Sequence, residues 1–572
     1  MTGIAPVETT RMPHPIRFRM PRGWGWWVPG IIVAALVLPP ILWMIVKSFT
    51  GEDTQSFSLE NYITVFTRPD FTQALLNTVI VSVATAVLST LLALPAAWAV
   101  SRSNMPLRGT VRMLILITFV TPPFLGAVAW ILLAGSNAGL LNQWYSALTG
   151  EAGPFSIYNM AGLILVYVLH QYPFCFILIS SALDSVGSDI ELAAQGLGAS
   201  KLRVAATVTL PLALPATLGS FVLSLLETAS LFGTPAMIAI PSGFHVLTTK
   251  ISSLFKFPIH IEQATALAVP LVLAALILVY FQRRVLGRRS FATIAGKAGT
   301  RTPTDLGAGR WVMFAYCAVL LTFSTLLPYI ALFMAGLSVN WVLPFGGDNF
   351  TLIHFAELFQ NDGTRAAIIN SLILALVGGL IAVLLPALIA YARARRLSRV
   401  APLLVLFCLI PVAVPGIAMA TGIFAAYAPP PFALYGTLTI LLVAYVAKML
   451  PLGLVSAQST IGGISPSLED ASRILGAGRM RQLATVTLPL ARGGLIAGWA
   501  LIFMTIIREL SASALLYTPQ SRVLPVRFLD FTSEGNLEAA SALGIFLLVI
   551  SFVVVGAVYL FLGKNILGGS SN

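Results

Sequence analysis

The chain has 572 residues, of which 57% are hydrophobic and only 10% are charged. A soluble protein carries about 25% charged residues, so this composition excludes a water-soluble fold. The formal net charge is +13, but the basic residues lie in short clusters between apolar segments. That distribution is typical of a polytopic membrane protein and argues against nucleic-acid binding. The three cysteines show neither disulfide nor metal-ligand spacing.

Twelve apolar segments are each long enough, at about 20 residues, to cross a lipid bilayer as a helix. In chain order they cover residues 26–47, 74–100, 112–134, 160–183, 216–240, 264–282, 311–336, 367–392, 402–427, 434–457, 494–517 and 540–562. The sequence therefore predicts an all-α polytopic membrane protein with about twelve transmembrane helices. No small-residue cleavage site follows the first segment, so we expect a retained helix and not a signal peptide.

The charges between the segments alternate along the chain. Basic clusters occupy the N-terminal tail and the even-numbered connections, whereas most acidic residues lie in the odd-numbered ones. Because positively charged connections stay on the cytoplasmic side, both termini are predicted to be cytoplasmic.

The chain contains an internal repeat. Residues 191–213 (ELAAQGLGASKLRVAATVTLPLA) and 469–491 (EDASRILGAGRMRQLATVTLPLA) are identical at 14 of 23 positions, at an offset of 278. Upstream, the segments that begin at Asn77 and Asn370 correspond at an offset of 293, which a longer connection around 135–156 would explain. Six spans per half give both halves the same orientation, so the repeat is parallel.

The repeat divides the chain into units. The first half covers 26–286 and the second 311–564. A polar linker rich in Gly, Thr and Arg, residues 287–310, joins them and is predicted to be flexible. Tails of 1–25 and 565–572 complete the chain.

The two repeated loops have the form of a short helix on the cytoplasmic face. Residues 191–197 suit a helix, and Gly198 or Gly476 permits a tight bend after it. A second short helix is expected next, carrying Lys201 and Arg203 or their equivalents. Pro211 then falls in the first turn of the following span.

These loops, 191–215 and 469–493, resemble the EAA loop of ABC importer permeases, whose pattern runs E-A-A-x-x-x-G. The resemblance implies the type I importer permease fold and a coupling helix that docks on an ATP-binding subunit. The glutamate of the pattern aligns best with Leu192 and Asp470, although Glu191 and Glu469 lie one position earlier, and Ser472 replaces the second alanine. The candidate coupling residues are Glu191, Ala193, Gly198, Ala199, Lys201, Arg203, Glu469, Asp470, Ala471, Gly476, Ala477, Arg479 and Arg481.

The chain has no phosphate-binding loop of the form G-x-x-x-x-G-K-[ST]. We therefore expect no enzyme activity, cofactor or metal on this chain, and ATP hydrolysis in a separate subunit that binds ATP and Mg. Two loops imply two copies of that ABC ATPase. The resemblance further implies a periplasmic substrate-binding protein as partner and a bacterial inner-membrane location.

Ionisable residues inside spans are candidates for the translocation pathway or its gate because burying them in a bilayer is costly. They are Glu227, Arg508, Glu509, His170 and Lys448. For Glu227, a pathway role and a helix-packing role remain equally open. A structural ion pair with a neighbouring helix is favoured for Arg508 and Glu509. Structural hydrogen bonding or a position near the membrane edge is favoured for His170 and Lys448.

The segments LLETASLFGTP (225–235) and IRELSASALL (507–516) resemble those of ferric-iron importer permeases. Fused permeases for thiamine, 2-aminoethylphosphonate, polyamines or another small solute remain alternatives. A secondary transporter of the 6+6 kind is disfavoured because the loop SRSNMPLRGTVR lacks the aspartate of that class's basic signature. A membrane-embedded enzyme is disfavoured because the polar groups in the spans are dispersed.

Overall fold

The computed structural model describes residues 27–52, 56–287, 303–343 and 345–562. Within these ranges the regular structure is helical, with three isolated β-bridges. Both predicted tails, 1–25 and 565–572, and most of the linker lie outside the described residues.

The described part of the first half contains thirteen α-helices. They are α1 (Trp27–Ser48), α2 (Glu60–Thr67), α3 (Pro69–Arg102), α4 (Arg108–Val120), α5 (Pro123–Ala134), α6 (Leu140–Thr149), α7 (Met160–Ser185), α8 (Ser188–Gly196), α9 (Lys201–Val204), α10 (Leu210–Ser230), α11 (Gly233–Ile238), α12 (Leu247–Ser253) and α13 (Ile261–Gly287).

The described part of the second half follows this order with two differences: its first span consists of two helices joined by a π-helical turn, and none of its described helices corresponds to α6. Its helices are α14 (Gly309–Leu321), α15 (Leu327–Gly336), α16 (Ile353–Gln360), α17 (Asp362–Ala394), α18 (Ala401–Leu409), α19 (Gly416–Tyr427), α20 (Leu438–Gly462), α21 (Pro466–Ile474), α22 (Arg479–Gln482), α23 (Leu488–Ile507), α24 (Ser513–Leu516), α25 (Leu524–Ser533) and α26 (Leu537–Leu562).

The number of spans agrees with the prediction of about twelve. Ten helices in the described residues are long and apolar enough to cross a membrane. Two further spans are broken: α4 and α5 meet at 99°, and 401–413 meets α19 at 114°. Prolines stand at both breaks, Pro122 and Pro123 in one and Pro415 in the other, because proline lacks the N–H that a continuous helix needs.

Two predicted spans end earlier than their apolar sequence suggests. The fifth was predicted over 216–240, but α10 ends at Ser230 because Leu231 is extended. The eleventh was predicted over 494–517, but α23 ends at Ile507. Most residues beyond each end are apolar and buried, despite Arg508 and Glu509 directly after Ile507, so the average hydropathy does not reveal that the chain has left the helix.

The change of repeat offset has a structural origin. Helices α5 and α19 end at Ala134 and Tyr427, which are 293 apart, whereas α7 and α20 begin at Met160 and Leu438, which are 278 apart. The connection between them has 25 residues in the first half and 10 in the second. The difference of 15 equals the change of offset, and the extra residues include α6.

Each half places its first span on the other half. Helix α1 packs against α13 of its own half and against α19 of the second half, and the Tyr427 hydroxyl donates to the Ala35 carbonyl. Conversely, α15 packs against α26 and against α5 of the first half. Each half therefore contributes its first span to the packing of the other half.

Hydroxyl groups join the first span of the second half to the first half. Tyr316 Oη donates to the Leu92 carbonyl at 2.7 Å, and Tyr172 and Ser324 share a hydrogen bond of 2.9 Å. Ser324 belongs to a π-helical turn, Thr322–Leu326, between α14 and α15. In a membrane such interhelical hydrogen bonds support packing that the hydrophobic effect does not drive.

Helices α17 and α20 approach most closely at Gly453, where a Cβ atom would lie 1.8 Å from the Ala382 carbonyl oxygen. We expect Gly453→Ala to destabilise the protein by about 1–3 kcal/mol, because the two backbones must separate. Thermal unfolding of the detergent-solubilised protein measures this. The matched control is Gly462→Ala on the same helix, where a Cβ meets nothing within 4 Å; equal melting temperatures for both variants contradict the prediction.

Candidate coupling loops and central charged cluster

A buried carboxylate anchors the first repeated loop. Glu191, in α8, is 6% exposed, and its Oε1 lies 2.7 Å from the Arg102 guanidinium. The same oxygen accepts a hydrogen bond of 2.6 Å from Thr209 Oγ1. Arg102 also donates to the Val186 carbonyl at 3.0 Å. The anchor thus joins the end of α3, the end of α7 and the start of α10.

The second loop has the same anchor at the equivalent positions. Glu469 is 3% exposed and lies 3.0 Å from Arg395, and Thr487 Oγ1 donates to it at 2.6 Å. Arg395 donates to the Ile464 carbonyl at 3.1 Å. One addition distinguishes this half: Tyr391 Oη donates to Glu469 at 3.2 Å.

The pKa of the Glu469 carboxyl reflects two opposing effects. Burial pushes this pKa upward, but the hydrogen bonds and charge of Arg395 and the hydrogen bond from Thr487 outweigh it and hold the pKa below its ordinary value. The ion pair therefore stabilises the loop fully at pH values above the ordinary pKa of glutamate. This contribution is lost as the pH falls through the lowered pKa of Glu469.

The anchors settle which acidic residue of each loop is buried. Glu191 and Glu469 hold the buried position, whereas Leu192 and Asp470, the better sequence alignment with the motif, are exposed. Asp470 instead pairs with Arg473 at 3.1 Å. The two glutamates therefore hold the loops against the spans, and their side chains are not exposed at the loop surface.

The tips of the loops expose apolar side chains. Gly198 (φ 88°) and Gly476 (φ 84°) end the coupling helices in the left-handed conformation that glycine favours. Just before them, Leu197 and Leu475 are 90% and 88% exposed, and Ile474 is 86% exposed. The other candidate coupling residues are also exposed, apart from the half-buried Ala199 and Ala477: Ala193, Lys201, Arg203, Ala471, Arg479 and Arg481.

Contrary to the expectation, the second helix of each loop is not separate from the span that follows it. Lys201–Val204 and Arg479–Gln482 continue through π-helical turns, Ala205–Thr209 and Leu483–Thr487, directly into α10 and α23. The wider turn precedes a proline that has no N–H to donate. Lys201 and Arg203 thus stand on the first turn of the fifth span.

A second group of charges lies where the broken spans meet. Lys448 Nζ lies 2.6 Å from Glu509 Oε2, and Glu509 Oε1 accepts from the Ala512 N–H at 3.0 Å. A Cβ at Gly416 would lie 2.6 Å from Lys448 Nζ. Glu509 Oε1 would lie 3.4 Å from the same Cβ, so the ion pair stands beside the N-terminus of α19, with its ammonium nearer than its carboxylate.

Arg508 binds the backbone at the end of α4, in the other broken span. Its Nη1 donates to the Val120 carbonyl at 2.9 Å and to that of Phe119 at 3.4 Å. These carbonyls end α4 and have no partner within the helix. The sequence favoured an ion pair for Arg508; the structure places it on backbone carbonyls across the boundary between the halves.

The remaining candidates lie around Arg508. Glu227, on α10, is exposed, and it interacts electrostatically with Arg508, as do Glu509 and His170. His170 is the equivalent of Lys448, but Leu231 stands where the second half has Glu509. Besides His170, the cluster contains two acidic and two basic side chains, so its formal charge balances with histidine counted as neutral.

Sequence reasoning missed the basic and hydroxyl members of the anchors. Arg102 and Arg395 recur at an offset of 293, and Thr209 and Thr487 at 278. Polar residues that repeat in both halves at these offsets were the available signal.

Comparison with known proteins identifies the family. Residues 89–291 and 382–566 match the family described as binding-protein-dependent transport system inner membrane component. The chain belongs to this family.

The relatives include the ferric transport system permease protein FbpB of Actinobacillus pleuropneumoniae, 24% identical over 92% of this chain and 76% of the relative. A 2-aminoethylphosphonate permease, putatively assigned as PhnV, of Salmonella paratyphi A is 28% identical over 43% of this chain and 92% of the relative. A bacterial ABC transporter involved in alginate import has a TM-score of 0.40 at 18% identity, covering 47% of this chain and 97% of that chain.

Family membership makes this chain a multi-pass inner-membrane transport component with two homologous units. It is a permease subunit and not itself an enzyme. The two disfavoured classes, an ion-driven secondary transporter and a membrane-embedded enzyme, are thereby excluded.

Replacing Glu469 by glutamine removes the charge that pairs with Arg395. We expect the second loop of this permease to open more often, because an unpaired buried charge costs about 3–5 kcal/mol. Hydrogen exchange of α21 measures the opening. Asp470→Asn, an exposed carboxylate one residue later, is the control, and equal exchange in both variants would show that burial of Glu469 is irrelevant.

Replacing Lys448 by methionine leaves Glu509 without its partner inside the protein. We expect a loss of stability of about 3–5 kcal/mol, most of it recovered in the double variant Lys448→Met, Glu509→Gln. Melting of the purified permease reports it. His170→Met, at the equivalent position without an acidic partner, should have a smaller effect; no recovery in the double variant counts against the pair.

Proposed function

We propose that this permease imports ferric iron, which it receives from a periplasmic binding protein. The observation that carries the proposal is the extent of the relationship to ferric transport permeases. It reaches 92% of the chain in one relative and 87% in another, from Haemophilus influenzae, and so includes both fused halves. The 2-aminoethylphosphonate relative covers only 43% of the chain. Import of 2-aminoethylphosphonate, thiamine, a polyamine or another small solute is the alternative.

The cargo is expected to pass through the permease without being held by ligands. Among the described residues, no three His, Cys, Asp or Glu side chains are grouped so that they could hold a metal ion. The charges of the central cluster balance, so they offer no net trap for a trivalent cation. Selection of the substrate then falls to the binding protein.

Two copies of an ABC ATPase, each carrying ATP and Mg, would dock on the two coupling loops. The exposed Leu197 and the exposed Ile474 and Leu475 supply apolar contacts at the tips, and such contacts form the centre of protein interfaces. This arrangement requires both loops on the cytoplasmic side. The charge distribution supports the same orientation and puts both termini in the cytoplasm.

The anchors would carry ATPase motion to the spans. A displacement of α8 pulls on α3 through Arg102 and on α10 through Thr209. Glu469 does the same for α17 and α23. Closure of the ATPase pair therefore moves four spans together, which suits alternating access to a central pathway.

Co-expression with neighbouring ATPase and binding-protein genes tests the function. We expect an ATPase to co-purify with the permease, and ferric-loaded binding protein to raise its ATP hydrolysis above the rate with the iron-free form. The reason is that a loaded partner binds one conformation of the permease preferentially and so shifts its population.

Matched variants locate the docking site. Leu475→Asp should reduce the recovered ATPase, whereas Leu148→Asp in α6, at an almost equally exposed leucine (86%), should not. Stimulation by an organic-solute binding protein alone would replace iron with that solute. If no ATPase is recovered, the coupling assignment is wrong.

A further inference from the structure

The described end of the linker does not extend freely from the protein. Thr304 forms a parallel bridge with Ser103, in which the Thr304 N–H donates to the Arg102 carbonyl at 2.8 Å and the Asn104 N–H donates to the Thr304 carbonyl at 3.1 Å. The composition of 287–310 suggested flexibility throughout. Residues 303–308, which we call the linker end, are instead hydrogen-bonded to the connection after α3, directly beside Arg102 of the first anchor.

Asp305 connects the linker end to the first coupling loop. Lys201 Nζ donates to the Asp305 carbonyl at 2.6 Å and lies 3.8 Å from its carboxylate. The carboxylate also accepts from Asn104 Nδ2 at 2.5 Å and from the Gly307 N–H at 3.0 Å. Three separate contacts therefore keep Asp305 beside Lys201, although its side chain remains 67% exposed.

The second coupling loop lacks this arrangement in the described part of the chain. Arg479 is the equivalent of Lys201, is exposed, and forms no ion pair among the described residues. Leu397 stands at the position equivalent to Asn104. The two loops thus share their anchors but differ in the surface beside their tips.

The size of a stable interface makes that difference relevant. A stable contact buries about 800 Å² and 20–30 residues on each partner. The first coupling loop, from α8 to the end of α9, has only 17 residues, and Glu191 and Val204 among them are buried. A partner seated on Leu197 must cover adjoining surface as well, and the linker end adjoins this loop at Lys201, four residues from Leu197.

We propose that the linker end is part of the docking surface for the ATPase copy on the first half. The inference depends on the proposed docking of ATPases on the coupling loops. It means that two identical ATPase subunits meet different surfaces: the Lys201–Asp305 pair on the first half and, on the second, the exposed guanidinium of Arg479, which forms no ion pair within the described part of the chain. Arg479 is available to a carboxylate of the ATPase, whereas Lys201 is already engaged.

Cysteine labelling tests the inference in the complete permease. The native cysteines Cys175, Cys317 and Cys408 are buried, so an introduced exposed cysteine dominates the reaction with a water-soluble maleimide. Pro303→Cys reports on the linker end and leaves Asp305, Asn104 and Lys201 unchanged. Leu197→Cys and Leu475→Cys report on the two tips, and Leu148→Cys in α6 is the control away from the loops.

Labelling rates are compared with and without the co-purified ATPase. We expect the rates at 303, 197 and 475 to fall by about tenfold or more, because the core of an interface excludes water, while the rate at 148 stays the same. If Pro303→Cys does not fold, Ala308→Cys, also exposed at the linker end, replaces it.

The other outcomes separate this inference from the proposed function. Protection at 197 and 475 with an unchanged rate at 303 overturns the inference and leaves ATPase docking intact. A faster reaction at 303 also overturns it, since the ATPase then displaces the linker end. Full reactivity at all three positions, with ATPase bound, contradicts docking on the coupling loops altogether.

Discussion

A bilayer offers no water to unpaired backbone groups, and the centre of this permease depends on how that requirement is met. Two spans break at sharp angles and leave half-helix ends within the protein. Two adjacent residues after α23 lie at these ends: Arg508 binds the carbonyl end of α4, and Glu509, paired with Lys448, lies near the amino end of α19. One short segment of the second half thus reaches the breaks in both halves, and its Arg508 supplies hydrogen bonds to the carbonyl end of α4.

The two candidate coupling loops have the same buried contacts, whereas the exposed surfaces beside their tips differ. Each loop is held by an arginine, a glutamate and a threonine at equivalent positions, so the path from the loop into the spans is the same in both halves. The surroundings of the two loops differ. In the second half Tyr391 adds a hydrogen bond to Glu469, and Trp98 stands at the equivalent position of the first half. In the first half Lys201 pairs with Asp305. Buried polar anchors are costly to alter because a lost partner leaves an unpaired charge, whereas exposed surface changes at little cost.

Much of the architecture could be predicted from the sequence because hydropathy and the repeat are signals carried by many residues. The span count, the two halves and the loops with their glycine bends follow from them. The early ends at Ser230 and Ile507 could not be predicted, since most of the residues beyond them are apolar and become buried against protein. The carbonyl partners of Arg508 could not be predicted either. They lie 388 residues away in the chain, and no local pattern marks a contact with backbone.

The roles of individual acidic residues could be predicted from the sequence only in part. Glu191 and Glu469 stand one position from the motif's alignment, and their burial depends on Arg102 and Arg395, which belong to a different connection. The identity of a buried ion pair is a tertiary property, so spacing within one loop does not reveal it. A comparison of both halves, position by position, does carry that information.

The exchange of first spans between the halves has a consequence for biosynthesis. The contact from Tyr427 to the Ala35 carbonyl joins residues 392 positions apart. At a synthesis rate of about 5–20 residues per second, α1 enters the membrane roughly 20–80 s before α19 exists. During that interval lipid must cover the face of α1 that α19 later covers. Helix α1 can therefore pack against α13 of its own half first, and it gains its neighbour α19 only after the third span of the second half has been made.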